Sequence, residues 1–385
     1  MIAVSFAIIA LSTDMVAASL PDMSRSFGIP PSEAQLTLSV FVLAVAFSQL
    51  VYGPLSDRYG RRPVLIGGGA LFTLASAACA FAPDIDTLIA ARFVQGVGCC
   101  APVVVGRAVV RDIHGAEGAA RMLSYISAAM AVIILAGPMI GGVLVHQFGW
   151  RAVYAFIAAT GTLLTAAFVL LLAESNPHAG TETFRPRRFL GQVRRILASR
   201  AFIGNTLCLG GTNCVVMSFL SAAPFVLIDQ FGLSPRRFGL LFGLSVSGYI
   251  LGSLVGGRLM NRVGGVRLMG MGTALAALSG LAMLGLALAG VRSPAAVLLP
   301  FFTFLIGNGF VQPAAMAGAI SPFPKLAGTA SAMLGFLTQC ASAVTGFLVV
   351  RLYDNTPLPM SIAIAIATVG MFASHRLLLK PAGKA

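Results

Sequence analysis

The chain has 385 residues, 57% of them hydrophobic and only 10% charged, with a mean hydropathy of +0.91 and a formal net charge of +14. That is more apolar material than one soluble core can bury, so lipid is the expected solvent. Topology and not nucleic acid is the expected reason for the charge, because 23 of the 26 basic residues are arginines scattered between apolar runs instead of being gathered on one face.

A membrane span takes ~20 apolar residues, so this length holds about twelve. The apolar run from Met1 reads as the first span and not as a cleaved leader, since it has no basic start and no small-residue cleavage site. In chain order the hydrophobic runs predict helices over 1–20, 34–55, 63–82, 87–110, 119–144 and 149–173. A long polar stretch, 174–200, then carries Arg185, Arg187, Arg188, Arg194, Arg195 and Arg200 and reads as a linker. Six more helices follow over 201–229, 237–260, 265–289, 294–319, 325–351 and 357–379. The expected organisation is an all-α membrane protein with an N-terminal six-helix bundle (1–173), a cytoplasmic linker (174–200) and a C-terminal six-helix bundle (201–385).

With this even number of spans, 18 Lys and Arg fall on the side that holds the linker and 6 on the other. The positive-inside rule therefore puts both termini in the cytoplasm. The halves also repeat. Gly53-Pro54-Leu55-Ser56-Asp57-Arg58-Tyr59-Gly60 aligns, at an offset of 204, with Gly257-Arg258-Leu259-Met260-Asn261-Arg262-Val263-Gly264. Both stretches close an equivalent helix, as duplication of a six-helix unit predicts.

Cys79, Cys99, Cys100, Cys208, Cys214 and Cys340 lie inside apolar segments without a CxxC, so no disulfide framework, metal site or cofactor is indicated. An intramembrane enzyme would need converging nucleophiles, bases or ligands at membrane depth. His114, His146, His178 and His375 instead lie near or outside the span boundaries. The chain does not read as an enzyme, and a receptor or scaffold would leave the repeat and the buried charges unexplained.

Asp14 stands apart from the other eleven acidic residues, which fall in loops or near helix ends. A carboxylate about 9 Å inside a span is costly in lipid and a functional candidate by default, with a structural ion pair as the alternative. Arg92 reaches a similar depth on the fourth predicted helix, running in the opposite direction, and is the expected partner. Were Arg92 movable, Asp14 would be a proton site switched by conformation.

Three motifs carry a family resemblance. Gly53 to Arg62 reads G-x-L-x-D-R-x-G-R-R and resembles the loop signature of the major facilitator superfamily. Gly53 is the small residue expected to let helices approach, Asp57 is suited to a helix N-terminus, and Arg58, Arg61 and Arg62 suit the cytoplasmic surface. For these arginines topology alone is the plainer alternative. Arg92-Phe93-Val94-Gln95-Gly96 resembles the R-x-x-Q-G motif of its proton-coupled drug antiporters, and Gly137-Pro138-Met139-Ile140-Gly141-Gly142 resembles the core of their antiporter motif, with Tyr125 and Ile133 in place of the upstream glycines.

Finer similarity extends over almost the whole chain to the bicyclomycin/chloramphenicol resistance (Bcr/CflA) exporters, through Thr13-Asp14-Met15, Arg107 to Asp112, Ser218 to Val226 and Ala327 to Ser331. Val16-Ala17-Ala18-Ser19-Leu20-Pro21 departs from the Tyr-Leu-Pro-Ala-Leu-Pro usual in these relatives. The resemblance implies the major facilitator fold of twelve helices in two pseudo-symmetric halves, a bacterial inner-membrane location, and export of small amphipathic drugs against protons by alternating access. A specific-metabolite exporter or importer is the alternative within the fold. It also implies a cytoplasmic charge cluster in which Asp112 joins Asp57 and Arg61 near Gly60 to hold an inner gate. Gln95, Asn213, Phe219, Phe225, Asn308, Gln312 and Gln339 are candidates to line the substrate cavity, with helix packing the alternative for each amide. The expected partners are a drug substrate, protons and the bilayer, and the expected assembly is a monomer.

Overall fold

A computed structural model describes residues 2–175 and 186–379; residues 176–185 of the expected linker lie outside the described residues. Every regular element among the described residues is helical. Lipid dictates this, because it offers no hydrogen-bond partner to a backbone left unpaired within its own segment. The first helices are α1 (Ile2–Ala17), α2 (Leu20–Phe27), α3 (Pro31–Tyr59), α4 (Arg61–Ala80), α5 (Ile85–Phe148) and α6 (Trp150–Leu171). They are followed by α7 (Pro186–Leu197), α8 (Arg200–Pro224), α9 (Pro235–Val263), α10 (Gly265–Leu288), α11 (Pro294–Ile320), α12 (Ala327–Arg351) and α13 (Leu358–Leu378). Ten stretches among the described residues are long and apolar enough to cross a membrane.

The remaining two predicted spans are α1, with 16 residues, and the part of α5 that ends in the apolar Leu135–Phe148. The sequence predicts two separate helices where the structure has the 64-residue α5. Arg92 near its start donates to the Ser12 carbonyl of α1 at 3.2 Å, and Gly141 near its end packs on Met15 of that same helix. On a straight helix these two residues would be about 70 Å apart. The chain therefore reverses between them, and the fourth and fifth predicted spans are the two legs of a helical hairpin.

The chain divides into two compact units, Met1–Arg185 with Ser234–Gly239, and Pro186–Leu233 with Leu240–Ala385. In the first, Gly60 joins α3 to α4 at φ +94°, ψ 158°, and Gly149 joins α5 to α6 at φ +78°, ψ 177°. This backbone region is open in practice only to glycine. Carboxylates clip the N-termini that follow, where free N–H groups attract negative charge. Glu174 accepts from the Arg61 and Arg62 amides at 2.9 and 3.0 Å, and Asp22 of α2 accepts from the Trp150 amide at 3.0 Å. Asp84 caps α5 by accepting from the Thr87 amide at 2.8 Å, a bond that holds its carboxyl below the ordinary value.

In the second unit, Gly248, Gly252 and Gly256 bring α9 against α11. A Cβ at Gly248 would lie 2.7 Å from the Phe302 carbonyl oxygen, one at Gly252 would strike the Ile306 carbonyl, and one at Gly256 would come within 3.0 Å of the Phe310 ring. Three small residues one turn apart thus let the two helices approach closely. Gly264 joins α9 to α10 at φ +79°, ψ 154°, repeating the geometry of Gly60 at the offset seen in the sequence. The stretch predicted as linker is partly α7, which belongs to the second unit.

Candidate functional site

Arg92 is completely buried on the first leg of α5. Its Nε donates to the Thr37 carbonyl of α3 at 3.0 Å, one Nη to the Ser12 carbonyl of α1 at 3.2 Å and the other to Gln95 Oε1 at 2.5 Å. The guanidinium carbon lies 4.2 Å from the Phe41 ring centroid and 5.7 Å from that of Tyr154, so π faces supply further negative potential. Gln95 in turn donates to Ser76 Oγ at 2.7 Å, which donates to the Phe72 carbonyl. The R-x-x-Q spacing places both side chains on one helix face one turn apart. Gly96 completes the motif sterically: a Cβ there would lie 2.5 Å from the Phe41 carbonyl oxygen, closing off the approach of α3 that brings the Thr37 carbonyl to Arg92.

Asp14 is half-buried and accepts from Thr13 Oγ1 at 3.1 Å. The expected pairing with Arg92 is not formed; Arg92 is held by neutral acceptors instead. The reason is helical register. Arg92 engages α1 at Ser12, and Asp14, two positions on, stands about 200° around the helix. Among the described residues, Arg92 is a buried cation with no carboxylate partner, and Asp14, on another face of α1, is a carboxylate with no cationic partner.

At the α3–α4 junction, Arg61 is buried and bridges two carboxylates. One Nη pairs with Asp57 Oδ1 at 2.6 Å and also reaches Ser56 Oγ, while Nε pairs with Asp112 Oδ2 at 3.1 Å. Asp57, Arg61 and Asp112 therefore converge. Glu174 accepts from the amides at the α4 N-terminus, while Asp57, expected there, pairs with Arg61 four residues on. Gly53 is not a close-packing residue, because a Cβ there would meet nothing within 4 Å. Arg58 is exposed and lies over the Tyr59 ring, and Arg62 reaches the Val169 carbonyl at 3.0 Å. Glu174 escaped the sequence reading. Its signal is a lone acid at the end of the sixth span, opposite a helix that starts on two arginines.

The Major Facilitator Superfamily model matches residues 2–347. The chain belongs to that family. This major facilitator protein is 26% identical to the bicyclomycin resistance protein homolog of Haemophilus influenzae, over 92% of this chain and 89% of that one. It is 29% identical to a chloramphenicol resistance protein of Pseudomonas aeruginosa, over 93% and 85% respectively. Its fold matches a partially occluded, inward-open structure of the xylose transporter XylE from Escherichia coli with a TM-score of 0.79, at 12% identity over 100% of this chain and 98% of that one. It is a multi-pass membrane transporter.

Within this family member the glycine motif of α5 packs against α1. A Cβ at Gly141 would lie 2.8 Å from both the Met15 Cα and carbonyl oxygen, and one at Gly137 would make ordinary contact with Leu11. Pro138 and Gly142 are buried beside them. The residue after Asp14 thus has its backbone pinned by Gly141. The cavity candidates separate into two groups. Phe219 is fully buried and stacked on Phe301 at 3.6 Å, Phe225 is buried 6.0 Å from the Tyr353 ring, and Gln95 is fully buried on Arg92. These three pack the protein; an aromatic or amide in an apolar run reads identically whichever way it faces. Asn213, Gln312 and Gln339 are half-buried, and Asn308 is buried with no partner for its Oδ1 among the described residues.

Proposed function

We propose that this transporter exports small amphipathic drugs in exchange for protons by alternating access, as a monomer in the bacterial inner membrane with both termini cytoplasmic. Relatives named for bicyclomycin and chloramphenicol resistance support the substrate class. The observation that carries the coupling is Asp14, a carboxylate within an apolar span that has no cationic partner among the described residues while Arg92 is held by neutral acceptors. Intramembrane carboxylates are retained chiefly where they move protons or ions.

In this mechanism Asp14 takes a proton from the outside as drug is released, and gives it to the cytoplasm as the next drug loads. Arg92 is the cation whose approach or withdrawal switches it. The Arg61 cluster holds the first unit's α3–α4 junction to α5 in one state of the cycle. Half-buried Asn213, Gln312 and Gln339, with Asn308, supply the polar contacts to substrate.

Everted membrane vesicles with an acid lumen provide the test, using a panel that includes chloramphenicol-like and bicyclic compounds. Addition of a substrate should release protons, and Asp14→Asn should abolish that release. Full coupled flux in both Asp14→Asn and Arg92→Gln would refute the proton assignment. Silence toward every drug from folded, inserted protein would move the assignment to a carrier of one metabolite.

A further inference from the structure

The segment 186–200 has no acidic residue and five arginines. Within α7 the arginines occupy positions 187, 188, 194 and 195, and Phe189, Leu190, Val193, Ile196 and Leu197 recur at the complementary helical spacing. Two stripes of opposite character on one short helix are the pattern of a helix lying at a boundary between apolar and aqueous phases.

The placement of α7 agrees with that pattern. Gln192 Oε1 accepts from Thr329 Oγ1 in the first turn of α12 at 3.3 Å. Ile196, one turn further along, is completely buried. Two residues after α7 ends, Ser199 caps the start of α8 through the Phe202 amide. Both α8 and α12 are membrane spans, and α7 runs from the start of one toward the start of the other. It therefore sits beside the ends of two candidate spans. Arg194 and Arg195 are exposed there, and so is Arg200 at the start of α8.

We infer that α7 is an interfacial helix whose arginine face binds the phosphates of anionic phospholipids. A guanidinium matches a phosphate in geometry as well as charge, and no acidic residue occurs within 186–200 to compete for exposed Arg194 and Arg195. The inference depends on α8 and α12 crossing the bilayer and is independent of the transported substrate.

Full-length protein in neutral detergent is titrated with phosphatidylglycerol or phosphatidylcholine, and bound lipid is counted by native mass spectrometry. Wild-type protein should retain phosphatidylglycerol in preference to phosphatidylcholine, with a preference that shrinks as salt rises. Affinity for phosphatidylglycerol should fall about fivefold with each of Arg194→Gln and Arg195→Gln, and Arg194→Lys should retain most of it. Equal binding of the two lipids, or unchanged phosphatidylglycerol occupancy in the double glutamine variant, would overturn the inference. A lower Tm of that variant in purely neutral nanodiscs would also overturn it, because the arginines would then serve folding.

Discussion

Gly60 and Gly264 stand 204 positions apart and share one backbone conformation, φ +94°, ψ 158° against φ +79°, ψ 154°. Their surroundings differ completely. A Cβ at Gly60 would lie 2.6 Å from Glu174 Oε2, whereas one at Gly264 would meet nothing within 4 Å. At the same offset, buried Arg61 with its two carboxylates corresponds to Gly265, and the clipping acid Glu174 to Leu378. Duplication has preserved the turn, which only glycine can make, while the Asp57–Arg61–Asp112 cluster and the Glu174 clip stand in the first copy alone. The glycine is the structural requirement, and the arginine cluster is an addition to it.

Removing the cluster should separate the two copies most. Arg61→Ala removes the guanidinium that bridges Asp57 and Asp112. Loss of one partner of a fully buried pair costs ~3–5 kcal/mol, and the 45% exposure of the Asp57 side chain brings the expectation down to roughly 2–3 kcal/mol. Thermal unfolding of the purified protein would measure it, and a Tm equal to wild type would mean that the cluster contributes nothing to the first unit. Next in size is the contrast between Gly60→Ala and Gly264→Ala. Both incur backbone strain of about 1–3 kcal/mol, but only the former also displaces Glu174, so it should cost about 1 kcal/mol more. Equal Tm shifts would break the comparison.

Glu174→Gln keeps the shape of the clip and removes its charge from the α4 N-terminus. It should cost about 0.5–1 kcal/mol, read as a small Tm decrease that salt partly masks. The smallest effect belongs to the second copy. Arg262→Gln alters an exposed side chain and should leave stability within about 0.5 kcal/mol of wild type. A larger loss there would show that the second loop carries a charge function of its own.

Much of the fold was legible because lipid imposes a simple code. Runs of apolar residues had to be helices, and the Gly53 and Gly257 stretches aligned because equivalent turns need equivalent glycines. The convergence of Asp57, Arg61 and Asp112 was legible only through the family resemblance, which implied it. The acceptors of Arg92 were not legible. Two of them are main-chain carbonyls, at Ser12 and Thr37, which every residue possesses and no sequence pattern marks. Register also defeated the reading of Asp14, since similar depth along two helices does not fix which faces meet. The docking of α7 was hidden because a segment scanned for its arginines conceals the apolar stripe between them.

The order in which the partners of Arg92 appear along the chain bears on how this protein is made. An arginine entering hydrocarbon alone costs up to about 3 kcal/mol at mid-span. Here the Ser12 and Thr37 carbonyls and the Phe41 ring all precede Arg92 in the sequence, and Gln95 follows within one turn. Because synthesis proceeds from the N-terminus, the first leg of α5 leaves the ribosome when its acceptors have already been made. Of the groups around this charge only the Tyr154 ring is made much later, and a circular permutant that placed α1 and α3 after α5 should insert poorly even though its finished contacts would be the same.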